Sequence, residues 1–180
     1  MIKRSFYSLT KSSLIDNASK AIAFHLIENI DNPFNKKFIC IAGVGDNGMD
    51  AIKCHKILRE NSINSRLYIV ESKKINSSLI DGQDYYSKLD NVDFSSLDII
   101  VDGIFGTGLN RNVVGDFGYV INKISKCKNV VSIDIPSGIF SDTGITSGPS
   151  VNAFSTITFT YPKISHFIGE GYKKRGELFT

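Results

Sequence analysis

Phe38 to Lys53, FICIAGVGDNGMDAIK, constrains this chain more than any other stretch. Phe38-Ile39-Cys40-Ile41 is an apolar run too short for a helix and bounded by glycine, so it reads as a buried strand. Gly43, Gly45 and Gly48 follow at the spacing G-x-G-x-x-G. Ala51, Ile52, Cys54, Ile57 and Leu58 then repeat at helical spacing. Strand, glycine turn and helix in that order allow close backbone approach to a ligand and place a helix N-terminus beside it, a site suited to something phosphorylated. Asp46 and Asp50 flank the third glycine and would repel a pyrophosphate there unless a cation or basic group intervenes. Glu71, 23 residues past Gly48, stands where a ribose-binding acid would sit.

The rest of the chain repeats this alternation. Ser12 or Ser13 is expected to cap a first helix, about 12–30, with Leu14, Ile15, Ala18, Ala21, Ile22, His25, Leu26 and Ile27 on its apolar face. Because it precedes the first strand, that helix is expected to pack outside the sheet or against a second subunit. Strands are predicted at Arg66–Val70, Leu97–Val101, Asn129–Ile133 and Ala153–Tyr161. Helices are predicted at Ser78–Leu89, interrupted by Gly82, and after Asp116 as a cap, with Phe117, Val120, Ile121 and Ile124 facing inward. The expected fold is α/β: a Rossmann-like three-layer sandwich, mostly parallel, with helices on both faces. At 180 residues the chain is expected to be one domain, with its Rossmann-like core at about 38–180.

In such sheets ligands bind beyond the carboxyl ends of the strands. The loop 43–50, Asp102 with Gly106-Thr107-Gly108, and Asp134 with Ser137 all follow strand ends, which puts them on one rim. That rim gathers the carboxylates Asp46, Asp50, Asp102 and Asp134, which need a counter-charge to stay ionised together. Asn47, Asp102, Ser137 and turn carbonyls offer hard oxygens with little formal charge, a set suited to a weakly charged ion rather than to zinc or a Mg²⁺ cage.

Composition excludes several classes. A net charge of +3 with no long basic run gives no case for nucleic acid. No apolar run approaches the roughly 18 residues of a membrane span, and Met1–Lys11 leads into no apolar signal segment. Cys40, Cys54 and Cys127 lack metal-ligand spacing and suit free thiols in a reducing cytoplasm. The three histidines stand apart, and Lys163, just past a strand, reads as a surface lysine.

GVGDNGMDA, VDGIFGTGLNR, VVSIDIPSGIFSDTG and TITFTYPK, taken in order, resemble the NAD(P)H-hydrate epimerase family, also called the YjeF N-terminal domain. The resemblance runs from about Leu14 to Leu178. It implies epimerisation of the R and S forms of hydrated NADH or NADPH at C6 of the nicotinamide ring, with bound potassium. By motif, substrate contacts fall on Asp46, Asn47, Gly48, Met49, Asp50, Gly106, Thr107, Gly108, Leu109, Asn110, Arg111, Asn112 and Asp134. Potassium ligands fall on Asn47, Asp102 and Ser137, and the general acid/base on Asp134. The expected partners are hydrated NAD(P)H and a separate or fused dehydratase, and the expected assembly is a homodimer. Where the family's first loop usually reads N-N-G-G-D-G, this chain has D-N-G-M-D-A: Met49 replaces a glycine, and Asp46 an asparagine donor. The ending soon after Leu178 suggests a short or truncated form. Two alternatives remain at this point: a non-catalytic nucleotide- or partner-binding module of the same fold, and an NAD(P)-dependent oxidoreductase.

Overall fold

Strand β1, Lys37–Ala42, is buried from Phe38 onward and lies at the heart of the sheet. A strand flanked on both sides in a parallel sheet is covered on both faces, so its sequence is continuously apolar rather than alternating. The computed structural model describes residues 10–180 apart from 72, 73, 76, 77, 79 and 147. Helix α1 (Lys11–Asn29) precedes β1, and α2 (Asp46–Glu60) follows it. Then come β2 (Asn64–Ile69), β3 (Ile99–Gly103), α3 (Gly115–Ile124), β4 (Val130–Ile133), β5 (Ser155–Ile157), α4 (Gly169–Lys174) and β6 (Glu177–Phe179).

The six strands are ordered β2-β1-β3-β4-β5-β6, and every pairing is parallel. The chain steps from β1 outward to β2, then crosses back to place β3 on the other side of β1. The ends of β1 and β3 therefore frame the topological switch point, where this class of sheet opens a ligand crevice. Successive side chains of a strand point to opposite faces. Phe38, Cys40 and Ala42 join Ile22, Ala23 and Leu26 of α1 and Ala51, Cys54 and Leu58 of α2 in one core. Ile39 and Ile41 join Phe117, Val120, Ile121 and Ile124 of α3 in the other. The three layers expected from the alternation are present.

Several local expectations need correction. The first helix is capped by Thr10, whose side chain accepts from Ser13 N at 3.2 Å, not by Ser12 or Ser13. That helix packs on α2 outside the sheet, the first of the two placements expected, its buried stripe shared with the sheet core. Asp116 lies in the first turn of α3; the cap position is Val114, with no side-chain bond. Over 78–89 the described residues form turns instead of the expected helix. Gly82 has φ +69°, and Tyr86 bridges to Tyr68 along the outer side of β2. Tyr86 N donates to Leu67 O at 2.8 Å and Ile69 N donates to Tyr86 O at 3.2 Å, so this segment covers the exposed sheet edge. The predicted strand 153–161 shrinks to Ser155–Ile157, because Thr160 takes φ +65° and turns the chain. The segment beyond it supplies α4 and β6, which alternation and turn signals did not reveal.

Candidate active site

The turn after β1 owes its glycines to the packing of the chain against itself. A Cβ on Gly43 would stand 2.1 Å from Ile104 O, and one on Gly48 would stand 1.9 Å from Gly43 O. The β1 and β3 turns therefore cross with no room for a side chain between them, and Gly48 lets α2 start directly against Gly43. This close crossing brings Asn47 over the ends of two further strands. Its Nδ2 donates to Phe105 O at 3.0 Å, beyond β3, and to Ile133 O at 2.9 Å, at the end of β4.

Asp102, on β3, is fully buried and ties the same strands together from beneath. Its Oδ1 accepts from Ser137 Oγ at 2.6 Å and from Ile104 N at 3.3 Å; its Oδ2 accepts from Ser132 Oγ at 2.8 Å and Ser137 N at 2.9 Å. Burial still pushes its carboxyl above the usual range, despite the opposing bonds from Ser137, Ser132 and Ile104. Ser137 Oγ in turn accepts from Phe105 N at 2.9 Å. Asp102, Ser137, Phe105 and Asn47 thus form one hydrogen-bonded cluster at the ends of β3 and β4.

Asp134 follows β4 with φ +66°, a left-handed conformation uncommon outside glycine. Its N–H donates to Ile157 O at 2.7 Å, and its carbonyl accepts from His166 Nε2 at 2.9 Å. Oδ1 accepts from Thr158 Oγ1 at 3.0 Å and pairs with Lys163 Nζ at 2.5 Å. Oδ2 faces Gly106, where a Cβ would lie 3.3 Å from it and 2.9 Å from Asn47 Oδ1. One carboxylate oxygen is anchored to the scaffold, and the other is turned toward the glycine turn. Gly106 has no side chain to stand between the two.

The remaining rim residues divide. Asp46 is exposed at the first position of α2, where its charge complements the helix N-terminus. Met49 lies inside the helix, its N–H donating to Gly45 O at 3.1 Å, so replacing a glycine there forces no left-handed backbone. Asp50 turns away from the crevice into the α1–α2 interface, with Ser19 Oγ 3.4 Å from its Oδ1. Burial raises its pKa to about 7, with Asp134 and Asp46 adding to the rise and Ser19 and Lys53 opposing it. The four carboxylates therefore do not share one open pocket: Asp102 is enclosed beneath it and Asp50 is sealed beside it. Thr107, Gly108, Asn110, Arg111 and Asn112 are exposed along the loop after β3, while the Leu109 side chain is buried in the α3-side core and anchors that loop.

Lys163 is not a surface lysine. Its side chain is only 21% exposed, and its three N–H groups are directed to Asp134 Oδ1, Thr158 Oγ1 at 2.8 Å and Phe159 O at 3.1 Å. The only hint in the sequence was its place at the end of TITFTYPK. The turn at Thr160 that brings it back to Asp134 had no sequence signal. His166 is also interior: its Nδ1 accepts from Lys163 N at 3.0 Å, which leaves Nε2 protonated to donate to Asp134 O. Glu71 pairs with Lys74 at 2.8 Å just past β2. A separate cavity of about 790 Å³ lies between α1, α2 and the 78–84 turn; its lining mixes Lys20, Arg59 and Arg66 with Asp16, Asp81 and Asp84, and none of the strand-end residues reach it. Among the described residues no group of three His, Cys, Asp or Glu is placed to hold a metal, so any ion at the rim relies on neutral oxygens.

A parallel sheet with its switch point between β1 and β3, and a hydrogen-bonded polar cluster at the strand ends there, defines a Rossmann-like α/β protein. Within that class the chain belongs to the family described as YjeF-related protein N-terminus, whose pattern matches residues 11–165. It is 34% identical over 151 residues to the NAD(P)H-hydrate epimerase of Weissella koreensis, covering 78% of this chain and 67% of that protein. To the NAD(P)H-hydrate epimerase of Oenococcus oeni it is 30% identical over 176 residues, covering 92% and 82%. A bifunctional NAD(P)H-hydrate repair enzyme Nnr from Thermofilum pendens is 27% identical over 96% of this chain, which spans 36% of that protein. The crystal structure of the yeast protein ynu0 matches the fold with a TM-score of 0.74 at 23% identity, covering 91% of this chain and 76% of that one.

Proposed function

We propose that this chain is an NAD(P)H-hydrate epimerase, interconverting the R and S hydrates of NADH and NADPH at C6 of the nicotinamide ring. A dehydratase, separate or fused, would consume the product, in keeping with the bifunctional relatives. Three free cysteines suit a reducing compartment such as the cytoplasm. The observation that carries the reading is Asp134: a carboxylate in a left-handed turn, anchored through Oδ1, with Oδ2 facing Gly106, which has no side chain to cover it. Backbone held in so unfavoured a region is concentrated at functional sites.

C6 of the hydrate carries a hydroxyl next to the ring nitrogen. Asp134 Oδ2 takes the hydroxyl proton as the C6–N bond opens to an aldehyde, and passes that proton to the departing ring nitrogen. Closure on the opposite aldehyde face reverses these transfers and inverts C6. Loss and re-addition of water through an iminium asks for the same proton carrier at the same oxygen. In either case the catalyst is regenerated, and no oxidant or reductant is consumed.

Potassium is part of the proposal. Phe105 O, Ile133 O, Ser137 Oγ and the Asn47 amide are neutral oxygen-bearing groups brought together above one buried carboxylate. Such a set fits a monovalent ion. Asn47 Nδ2 already supplies positive partial charge to two of these carbonyls, and an ion held by the amide oxygen would do the same. The acceptor positions of Asp102 are taken by Ser132, Ser137 and Ile104, so Asp102 supplies charge from behind Ser137. When bound, the ion would order the turns and offset phosphate charge.

The decisive test follows conversion of purified R hydrate to S by chiral chromatography. Wild-type protein should equilibrate the two forms, and Asp134→Asn should slow this by about 10²–10⁴-fold while remaining folded. A folded Asp134→Asn protein of wild-type activity removes Asp134 from the reaction.

A further inference from the structure

We infer that Lys163 is a positioning residue for the acid/base Asp134, a role that rests on the epimerase reading for its catalytic consequence but not for its structural one. The ammonium has three N–H groups, and all three are committed internally: to Asp134 Oδ1, Thr158 Oγ1 and Phe159 O. It therefore has no donor left to follow a phosphate or to swing into solvent. Thr158 links the same pair, accepting from Lys163 Nζ and donating its own proton to Asp134 Oδ1. The backbone of Lys163 contributes again through His166. Lys163 N donates to His166 Nδ1, and His166 Nε2 donates to the Asp134 carbonyl.

Asp134 is thus gripped at both ends of one residue. Thr158 and Lys163 hold its carboxylate, and His166 and Ile157 hold its backbone. This double grip accounts for a non-glycine residue persisting at φ +66°. It also makes the two carboxylate oxygens unequal. Oδ1 is occupied by two donors, so proton exchange with substrate falls to Oδ2, the atom beside Gly106 and Asn47. The positive charge of Lys163 stands among acids, since Asp134 and Asp46 are both close enough to Asp50 to act on its carboxyl. A phosphorylated substrate would add further negative charge. Lys163 is the mostly buried cation paired with Asp134 Oδ1 in that setting. No proton leaves Lys163 in the cycle; the transfers run between substrate and Oδ2.

The experiment compares Lys163→Met, which keeps the length of the side chain without its charge, with Lys163→Arg. Steady-state epimerisation of the R hydrate is measured beside a crystal structure of the Met variant. Lys163→Met is expected to lower kcat about 10²-fold with KM held within about threefold, and Lys163→Arg to recover at least about tenfold of that loss. In the crystal the Asp134 carboxylate should leave its wild-type rotamer once Oδ1 loses its cation. A loss confined to KM, or a wild-type kcat in Lys163→Met, overturns the catalytic role. An unmoved Asp134 side chain in the Met variant overturns positioning, whatever the activity. Should wild-type protein itself fail to interconvert the hydrates, the epimerase reading falls, and the crystallographic arm still decides whether Lys163 positions Asp134.

Discussion

A methyl group on Gly106 would stand 2.9 Å from Asn47 Oδ1 and 3.3 Å from Asp134 Oδ2, closer than carbon and oxygen ordinarily approach. It would fill the space into which the free carboxylate oxygen points. Asn47 cannot simply step aside, because its Nδ2 spans Phe105 O and Ile133 O. Gly106→Ala is therefore expected to leave the fold intact and lower kcat/KM by about 10²-fold, the cost of misplacing a reacting group by about an ångström. Steady-state kinetics beside a melting curve checks this. Wild-type kcat/KM in a folded Gly106→Ala protein removes the site from this spot. Met49 invites no such prediction: it is helical, and its side chain is half-buried in the first turns of α2.

Three elements end where the crevice opens, and the oxygens they offer come from all three. Asn47 belongs to α2, Phe105 to the turn after β3, and Ser137 to the turn after β4. An ion held among them would lock these turns to one another and favour the folded state by mass action. Potassium chloride in place of choline chloride is expected to raise the melting temperature by about 3–5 °C once the ion stands near ten times its dissociation constant. Ser137→Ala should abolish most of that increment. Equal melting curves in the two salts would leave the cluster as a structural network with no ion. Calorimetry reads this without substrate, so it is independent of the epimerase assay.

At the scale of the whole molecule, Asp50 couples stability to pH. The carboxyl is buried between α1 and α2, and its pKa stands at about 7 in the folded protein against 3.8 in an ordinary setting. Between these values the folded chain holds a proton that the unfolded chain has released. Stability from this group is therefore fully present at low pH, declines as pH rises from about 4, and levels off above about 7. The full decline amounts to at most about 4 kcal/mol. Asp50→Asn removes the titration, so it should raise the melting temperature at pH 8 relative to wild type and narrow that gap at pH 4. Scanning calorimetry at both pH values tests the sign; a variant less stable than wild type at pH 8 would show that the carboxylate is stabilised rather than strained.

The alternation of apolar runs, glycine turns and helical spacings was enough for the layered parallel sheet, because those patterns report local backbone preference and which faces need burial. The same alternation put 43–50, Asp102 and Asp134 past strand ends, and strand ends of a parallel sheet share a rim wherever the strands fall in order. What lay beyond sequence was the direction of each side chain once there. Asp50 and Asp46 sit four residues apart on one helix, and only the packing of α1 seals the first and leaves the second in solvent. Lys163 looks like any lysine after a strand until the left-handed backbone at Thr160 returns it to Asp134. The helix expected over 78–89 gave way to a turn that covers the β2 edge, a demand set by hydrogen bonds unmet elsewhere in the sheet. Local chemistry determined the alternating strands and helices around the site and their order; contacts between residues distant in the chain decided the edge segment and which carboxylate faces Gly106, since burial and ion pairing exist only once those parts meet.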